Sequence, residues 1–257
     1  MSPENRYSLI KLKGSYILYD DSYILHPTLD IFDREHHRQS NRNNSAAPFP
    51  QAGIGRAMVA YFQHDGVSMV LKHYYRGGLI ARFLKDQYLG VDIEKSRAFR
   101  EWRLLKTMRD FDLPVPEAVA ARVKKSFLFY RADLITRMLQ NTRTLSDVLE
   151  KQNIDNGQWE KIGVCIKRFH NRNIYHADLN ARNILIDDDR NIYLIDFDNS
   201  YIRSGSDSWK ASNLARLHRS LSKFKRKYQG FNFSDTDWQA LLRGYDVNSK
   251  TGIRRLP

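Results

Sequence analysis

Apolar residues recur every three or four positions from Ser96 to Asp110. Ala98, Phe99, Trp102, Leu105 and Met108 fall on one broad face, the spacing of an amphipathic helix. Pro114 and Pro116 break the pattern. Around this helix the pattern is that of strands. Residues 7–25 hold apolar-aromatic material, including Tyr16-Ile17-Leu18-Tyr19. Ala57 to Gln63 and Val67 to His73 predict a hairpin turning at His64-Asp65-Gly66. Further strands are expected near 118–123, 126–131 and 133–139. Residues 33–52 are polar, with Pro48 and Pro50, and read as a mobile loop. From Thr144 onward the period is mainly helical. One interruption stands out: Ile184-Leu185-Ile186 and Ile192-Tyr193-Leu194-Ile195, split by Asp187-Asp188-Asp189-Arg190-Asn191, read as a hairpin. There are no internal repeats. Strands with one helix, then helices, predict an α+β chain of two lobes. The N-lobe spans 1–138 and is an antiparallel sheet plus one helix. The C-lobe spans 139–257 and is mainly helical around the hairpin.

A chain of 257 residues is long enough for one large domain or two lobes with a sizeable core. No apolar run approaches the roughly 20 residues that span a bilayer. The stretch Met1-Ser2-Pro3-Glu4-Asn5-Arg6 lacks the apolar core of a signal peptide. The single Cys165 cannot form an internal disulfide, and it falls in an amphipathic helical pattern as a core residue. These features favour the cytoplasm. The formal net charge of +13 draws nucleic acid, an anionic membrane or an anionic substrate, and composition alone does not choose among them.

Candidate chemistry lies between Tyr175 and Phe197. Asn183 follows Asp178 by five residues, and Asp196 follows Asn183 by thirteen. This is the layout of a protein-kinase-like catalytic loop and its metal-binding Asp. An acceptor hydroxyl held in line with a γ-phosphate must give up a proton, which suits the carboxylate of Asp178. Magnesium takes hard oxygen ligands, and the Asn183 amide and the Asp196 carboxylate supply them. The hairpin places both at one mouth. Arg182, inside the loop, either neutralises charge on the transferring phosphoryl group or binds a local carbonyl. His176 packs under the loop and orients it.

Upstream, Lys72 shares a strand face with Val70, and Glu101 falls on the apolar side of its helix between Leu105 and Met108. A carboxylate there is costly unless paired. A Lys72–Glu101 ion pair removes that cost and aims the ammonium at the α- and β-phosphates of ATP; Glu94 is a weaker alternative partner. Gly53, Gly55 and Arg56 precede the strand pair, where a nucleotide-covering loop is expected, although the third glycine of the usual pattern is missing. Two basic-aromatic stretches remain. His73 to Lys85, with Arg76 and Arg82, is placed to meet an acceptor. Leu214 to Tyr228 reads as a core helix with a charged face, or as a helix lying on an anionic membrane.

Several runs resemble the 3-deoxy-D-manno-octulosonic acid (Kdo) kinases of the lipopolysaccharide kinase family. They are Arg76-Gly77-Gly78-Leu79-Ile80-Ala81-Arg82, Arg97-Ala98-Phe99-Arg100-Glu101-Trp102-Arg103-Leu104-Leu105 and His176-Ala177-Asp178-Leu179-Asn180-Ala181-Arg182-Asn183. Leu113-Pro114-Val115-Pro116, Leu194-Ile195-Asp196-Phe197-Asp198 and Asn213-Leu214-Ala215-Arg216-Leu217 also fit, so the likeness covers roughly residues 50–245. The resemblance implies a protein-kinase-like fold and an enzyme peripheral to the cytoplasmic face of the inner membrane. It implies ATP and Mg2+ as cofactors, a Kdo-lipid A precursor phosphorylated on the 4-hydroxyl of Kdo, and Asp178 as the catalytic residue. No nucleic-acid partner is expected and no obligate protein partner is evident. The alternatives are a heptose kinase of the same family, a bacterial protein tyrosine kinase, and a non-catalytic kinase-fold RNA-binding protein. Ala177 in place of Arg, the absence of an Ala-Pro-Glu triplet after Asp196, and the few residues after Asp196 weigh against protein substrates. Intact Lys72, Asp178, Asn183 and Asp196 weigh against a non-catalytic protein.

Overall fold

A computed structural model describes residues 7–37, 58–74, 88–89, 92–126 and 129–247. It shows an α+β chain that divides into two compact units, Met1–Lys106 with Pro116–Met138, and Thr107–Val115 with Leu139–Pro257.

The first unit is built on an antiparallel sheet. Its strands are β1 (Tyr7–Leu12), β2 (Ser15–Asp20), β3 (Met58–His64), β4 (Val67–His73), β5 (Tyr88–Leu89), β6 (Ala118–Ser126) and β7 (Phe129–Arg137). The order across the sheet is β1-β2-β6-β7-β4-β3, with β5 also on β7. The β3–β4 hairpin closes through Asp65 and Gly66, both at positive φ, which suits the twist of a tight two-residue turn. Ile17, Tyr19, Ile24, Phe32, Ala60, Phe62, Met69, Leu71 and Ile135 form one core. Helix α1 (Arg97–Asp110) buries Ala98, Phe99, Trp102, Leu105 and Met108, the face expected from its period. Tyr7 sets its ring edge-on to Trp102 at 5.3 Å, and Lys106 pairs with Asp20 at 2.6 Å, so the first hairpin is fastened to α1.

Two sequence expectations need correction here. The three strands near 118–123, 126–131 and 133–139 are two long strands, β6 and β7. Asp133 interrupts the apolar pattern, yet it points inward. It is buried between His73 Nδ1 at 2.6 Å and the Arg122 guanidinium, whose Nε is 2.8 Å away. Residues 34–37, within the expected loop, are helical, and Asp33 caps the turn by accepting from the His36 amide.

The second unit holds β8 (Thr142–Thr144), α2 (Leu145–Lys151), α3 (Asn156–Asn171), β9 (Ile174–Tyr175), β10 (Ile184–Asp187), β11 (Ile192–Leu194), β12 (Tyr201–Ile202), α4 (Ser208–Lys227) and α5 (Asp235–Val247). The expected hairpin is β10–β11, with Ile184 opposite Leu194, and β8 joins its other edge. Helices α3 and α5 cross at two glycines. A Cβ on Gly163 would stand 2.0 Å from the Leu241 carbonyl, and one on Gly244 would stand 2.1 Å from the Glu160 carbonyl. Glycine is generally unfavourable inside a helix, and here it permits backbone-to-backbone contact. Cys165 is buried in α3, which raises its thiol pKa to about 12. Among the described residues no helix is long and apolar enough to cross a membrane.

Candidate active site

In the first unit, β4 alternates its faces. Met69 and Leu71 turn into the core, which leaves Lys72 on the opposite face. Its Nζ lies 3.0 and 2.9 Å from the two Glu101 carboxylate oxygens, so the anticipated ion pair forms. Glu101 is 4% exposed. Its burial is offset by a third donor, the Tyr74 hydroxyl, at 2.6 Å from Oε2. Arg97 and Lys72 both lie over the Tyr74 ring, at 5.3 and 4.8 Å. Glu94 pairs instead with Arg103 at 2.6 Å.

Tyr74 was not singled out by its sequence. It reads as the start of the basic-aromatic stretch, but it is 1% exposed and serves the ion pair. His73, beside it, is committed to Asp133 on the other face of the sheet. Gly53, Gly55, Arg56, Arg76 and Arg82 lie outside the described residues.

In the second unit, the chain leaves β9 and enters the loop 176–183. His176 is buried beneath it. Its Nδ1 accepts from the Asp178 amide at 3.2 Å, so its Nε2–H donates to the Ile195 carbonyl at 3.0 Å. The ring therefore ties the loop to the segment carrying Asp196. Phe197 packs against His176 and Phe169, with ring centroids at 4.6 and 5.8 Å. Asn183 Nδ2 donates to the Asp178 carbonyl at 2.9 Å. That bond fixes the amide orientation and leaves Oδ1 without a hydrogen bond among the described residues, as a hard oxygen suited to magnesium. Asn183 also accepts the Ile195 amide on its own carbonyl at 3.0 Å, next to Asp196. Asp196 has φ 63, a left-handed conformation that costs a non-glycine residue about 1–2 kcal/mol and that collects at functional sites. A carboxylate and an amide oxygen fit a metal that takes its other ligands from nucleotide phosphates.

Asp178 presents an exposed carboxylate. Asn180 donates to Oδ2 at 3.1 Å, and Arg216 of α4 donates to Oδ1 at 3.2 Å. Arg182 lays its guanidinium over the Phe224 ring, 5.3 Å from the centroid. Helix α4 thus runs along the whole loop. Asn213 Nδ2 donates to the His176 carbonyl at 2.7 Å, Ser220 Oγ accepts the Ala181 amide at 3.3 Å, and Phe224 carries Arg182. These residues, with Arg216, recur at the three- and four-residue spacing of one helical stripe. The sequence marks the apolar face of α4, but its charged stripe looks merely solvated. Deeper in, His170 bridges Tyr245 and Asn213, at 2.7 Å from Nδ1 and 3.2 Å from Nε2. Burial drives the His170 pKa down to about 4, with Lys210 and Lys167 adding to the shift.

Residues 52–245 match the family described as Lipopolysaccharide kinase (Kdo/WaaP) family. The chain is 37% identical over 232 residues to a 3-deoxy-D-manno-octulosonic acid kinase of Vibrio vulnificus, covering 90% of this chain and 95% of that one. A protein of the same name from Photobacterium damsela subsp. piscicida is 34% identical over 245 residues, covering 95% and 99%. One from Actinobacillus succinogenes is 42% identical over 184 residues, covering 70% and 76%.

Proposed function

Because the chain belongs to the lipopolysaccharide kinase (Kdo/WaaP) family, we propose that it is a 3-deoxy-D-manno-octulosonic acid kinase of lipopolysaccharide biosynthesis, built on a protein-kinase-like fold. The reaction moves the γ-phosphoryl group of ATP to the 4-hydroxyl of Kdo on a lipid A precursor. Asp178 accepts the hydroxyl proton as the new oxygen–phosphorus bond forms, and the bond from the γ-phosphorus to ADP breaks. Lys72, aimed by Glu101 and Tyr74, steadies the α- and β-phosphates. Gly53, Gly55 and Arg56 cover the nucleotide. Asn183 and Asp196 would hold magnesium, which neutralises charge on the phosphates when bound. Arg182, resting on Phe224, supplies further positive charge. Arg76 and Arg82 grip anionic groups of the acceptor. The enzyme works peripherally at the cytoplasmic face of the inner membrane, where a net charge of +13 favours an anionic surface.

The observation that carries this reading is the catalytic loop itself. An exposed Asp178 is held by Asn180 and Arg216, and the Asn183 amide is oriented by the Asp178 carbonyl while its main chain bonds Ile195, the neighbour of Asp196. The test is labelled ATP offered in parallel to Kdo-lipid, heptosylated lipid and a peptide pool. Label in Kdo-lipid alone supports the reading, and label in either of the others replaces it.

A further inference from the structure

Both oxygens of the Asp178 carboxylate are occupied in the free protein, one by Asn180 and one by Arg216. Each oxygen keeps a second lone pair, so an acceptor hydroxyl can reach the base beside these contacts. Arg216 holds its contact loosely. Its side chain is 44% exposed and that of Asp178 is 58% exposed, and ion pairs this open contribute little. Arg216 uses only Nη1 there. Its Nε–H and Nη2–H make no hydrogen bond among the described residues. Those two donors form the planar fork that matches a carboxylate. Further along α4, Arg219 and Lys223 are also exposed and extend the positive field.

We propose that Arg216 is the subsite for the carboxylate of the acceptor sugar. The inference rests on the kinase reading above and deepens it. The sugar is an acid, and its C1 carboxylate sits on ring carbon C2, two ring bonds from the C4 hydroxyl. When that hydroxyl reaches Asp178, the carboxylate of the same ring arrives within the span of a long arginine side chain. It engages the Nε and Nη2 fork, so that one guanidinium spans acceptor and base. A neutral sugar has no anionic group for the fork and forgoes that contact. Arg216 then acts as a selector for acid sugars as well as a contact.

The experiment uses the full chain and two acceptors, Kdo-lipid and the same lipid with the Kdo carboxyl converted to its methyl ester. Wild type, Arg216→Gln and Arg216→Lys are compared by acceptor kcat/KM at low salt. Wild type should prefer the acid over the ester by about ten- to a hundredfold, the value of a charge-assisted contact. Arg216→Gln should lose that preference, its loss on the acid exceeding any loss on the ester, and Arg216→Lys should recover part of it. A preference that survives in Arg216→Gln, or equal losses on acid and ester, would show that Arg216 only positions the loop. A wild-type chain that phosphorylates neither lipid overturns the kinase reading instead of this one.

Discussion

Asn213 donates from its side-chain amide to the main-chain carbonyl of His176, two residues before the candidate base, while its Oδ1 takes a hydrogen bond from His170. One side chain on α4 therefore satisfies two buried groups beneath the loop. Asn213→Ala should remove both hydrogen bonds, costing about 1–3 kcal/mol. Thermal melts should show the loss, and kcat should fall while the KM for ATP changes little. A variant as stable and as fast as wild type would remove Asn213 from the loop's support.

The buried pair of the first unit separates stability from activity. Lys72→Met leaves the Glu101 carboxylate buried with Tyr74 still on it, and breaking such a pair typically costs about 3–5 kcal/mol. Adding Glu101→Leu removes the stranded charge. The double variant should regain much of the lost stability but not the phosphotransfer. Denaturant melts alongside the activity assay check this; recovered activity in the double variant would refute the role of Lys72 at the phosphates.

Asp178 and Asp196 should fail in different ways. Asp178→Asn should lower turnover at least ~100-fold with an unchanged magnesium requirement, since general-base catalysis contributes about 10²–10⁴. Asp196→Asn should raise the magnesium concentration needed for half-maximal rate. Identical magnesium titrations for wild type and Asp196→Asn would take Asp196 out of the metal site.

Gly163→Ala forces a methyl against the Leu241 carbonyl and the Tyr245 amide, both backbone atoms with little room to move. The α3–α5 crossing should open, at a cost of about 1–3 kcal/mol or more. The melting temperature reads this directly. An unaffected melting temperature would mean the helices can separate freely.

His170 gives the second unit an acid-sensitive point. Its pKa falls from 6.5 in the unfolded chain to about 4 when folded. Above pH 6.5 the ring is neutral in both states and its contribution is fully present. As pH falls from 6.5 toward 4, the unfolded chain takes up a proton that the folded one refuses, so stability declines by about 3 kcal/mol at most. His170→Gln should flatten that part of the stability-against-pH curve. Parallel curves for the two proteins would assign the acid loss elsewhere.

The Lys72–Glu101 pair was legible because each charge stands alone on an otherwise apolar face, one at period two and the other at period 3.6. The β10–β11 hairpin was legible from two apolar runs and a polar turn. β7 was not legible as one strand, because the pattern was split at Ala132, with Asp133 opening a separate strand. Only its partners on two neighbouring strands, His73 and Arg122, make it an inward residue. Arg216 was legible as a charge but not as the partner of Asp178, 38 residues away, since that depends on how α4 is rotated about its axis. The Gly163 and Gly244 contact was invisible for the same reason: nothing local tells a helix glycine that allows close approach from one that is merely tolerated.

The hairpin β1–β2 and the segment through Phe32 precede the residues that the family match covers, which begin at 52. Yet Ile17, Tyr19, Ile24 and Phe32 belong to the sheet's core, and Asp20 holds Lys106. The boundary of the family match is therefore not the boundary of the folding unit. A recombinant fragment cut at residue 52 would expose the apolar side of the sheet and strand Lys106. Such a fragment should be recovered as aggregate even though it retains Lys72, Asp178, Asn183 and Asp196.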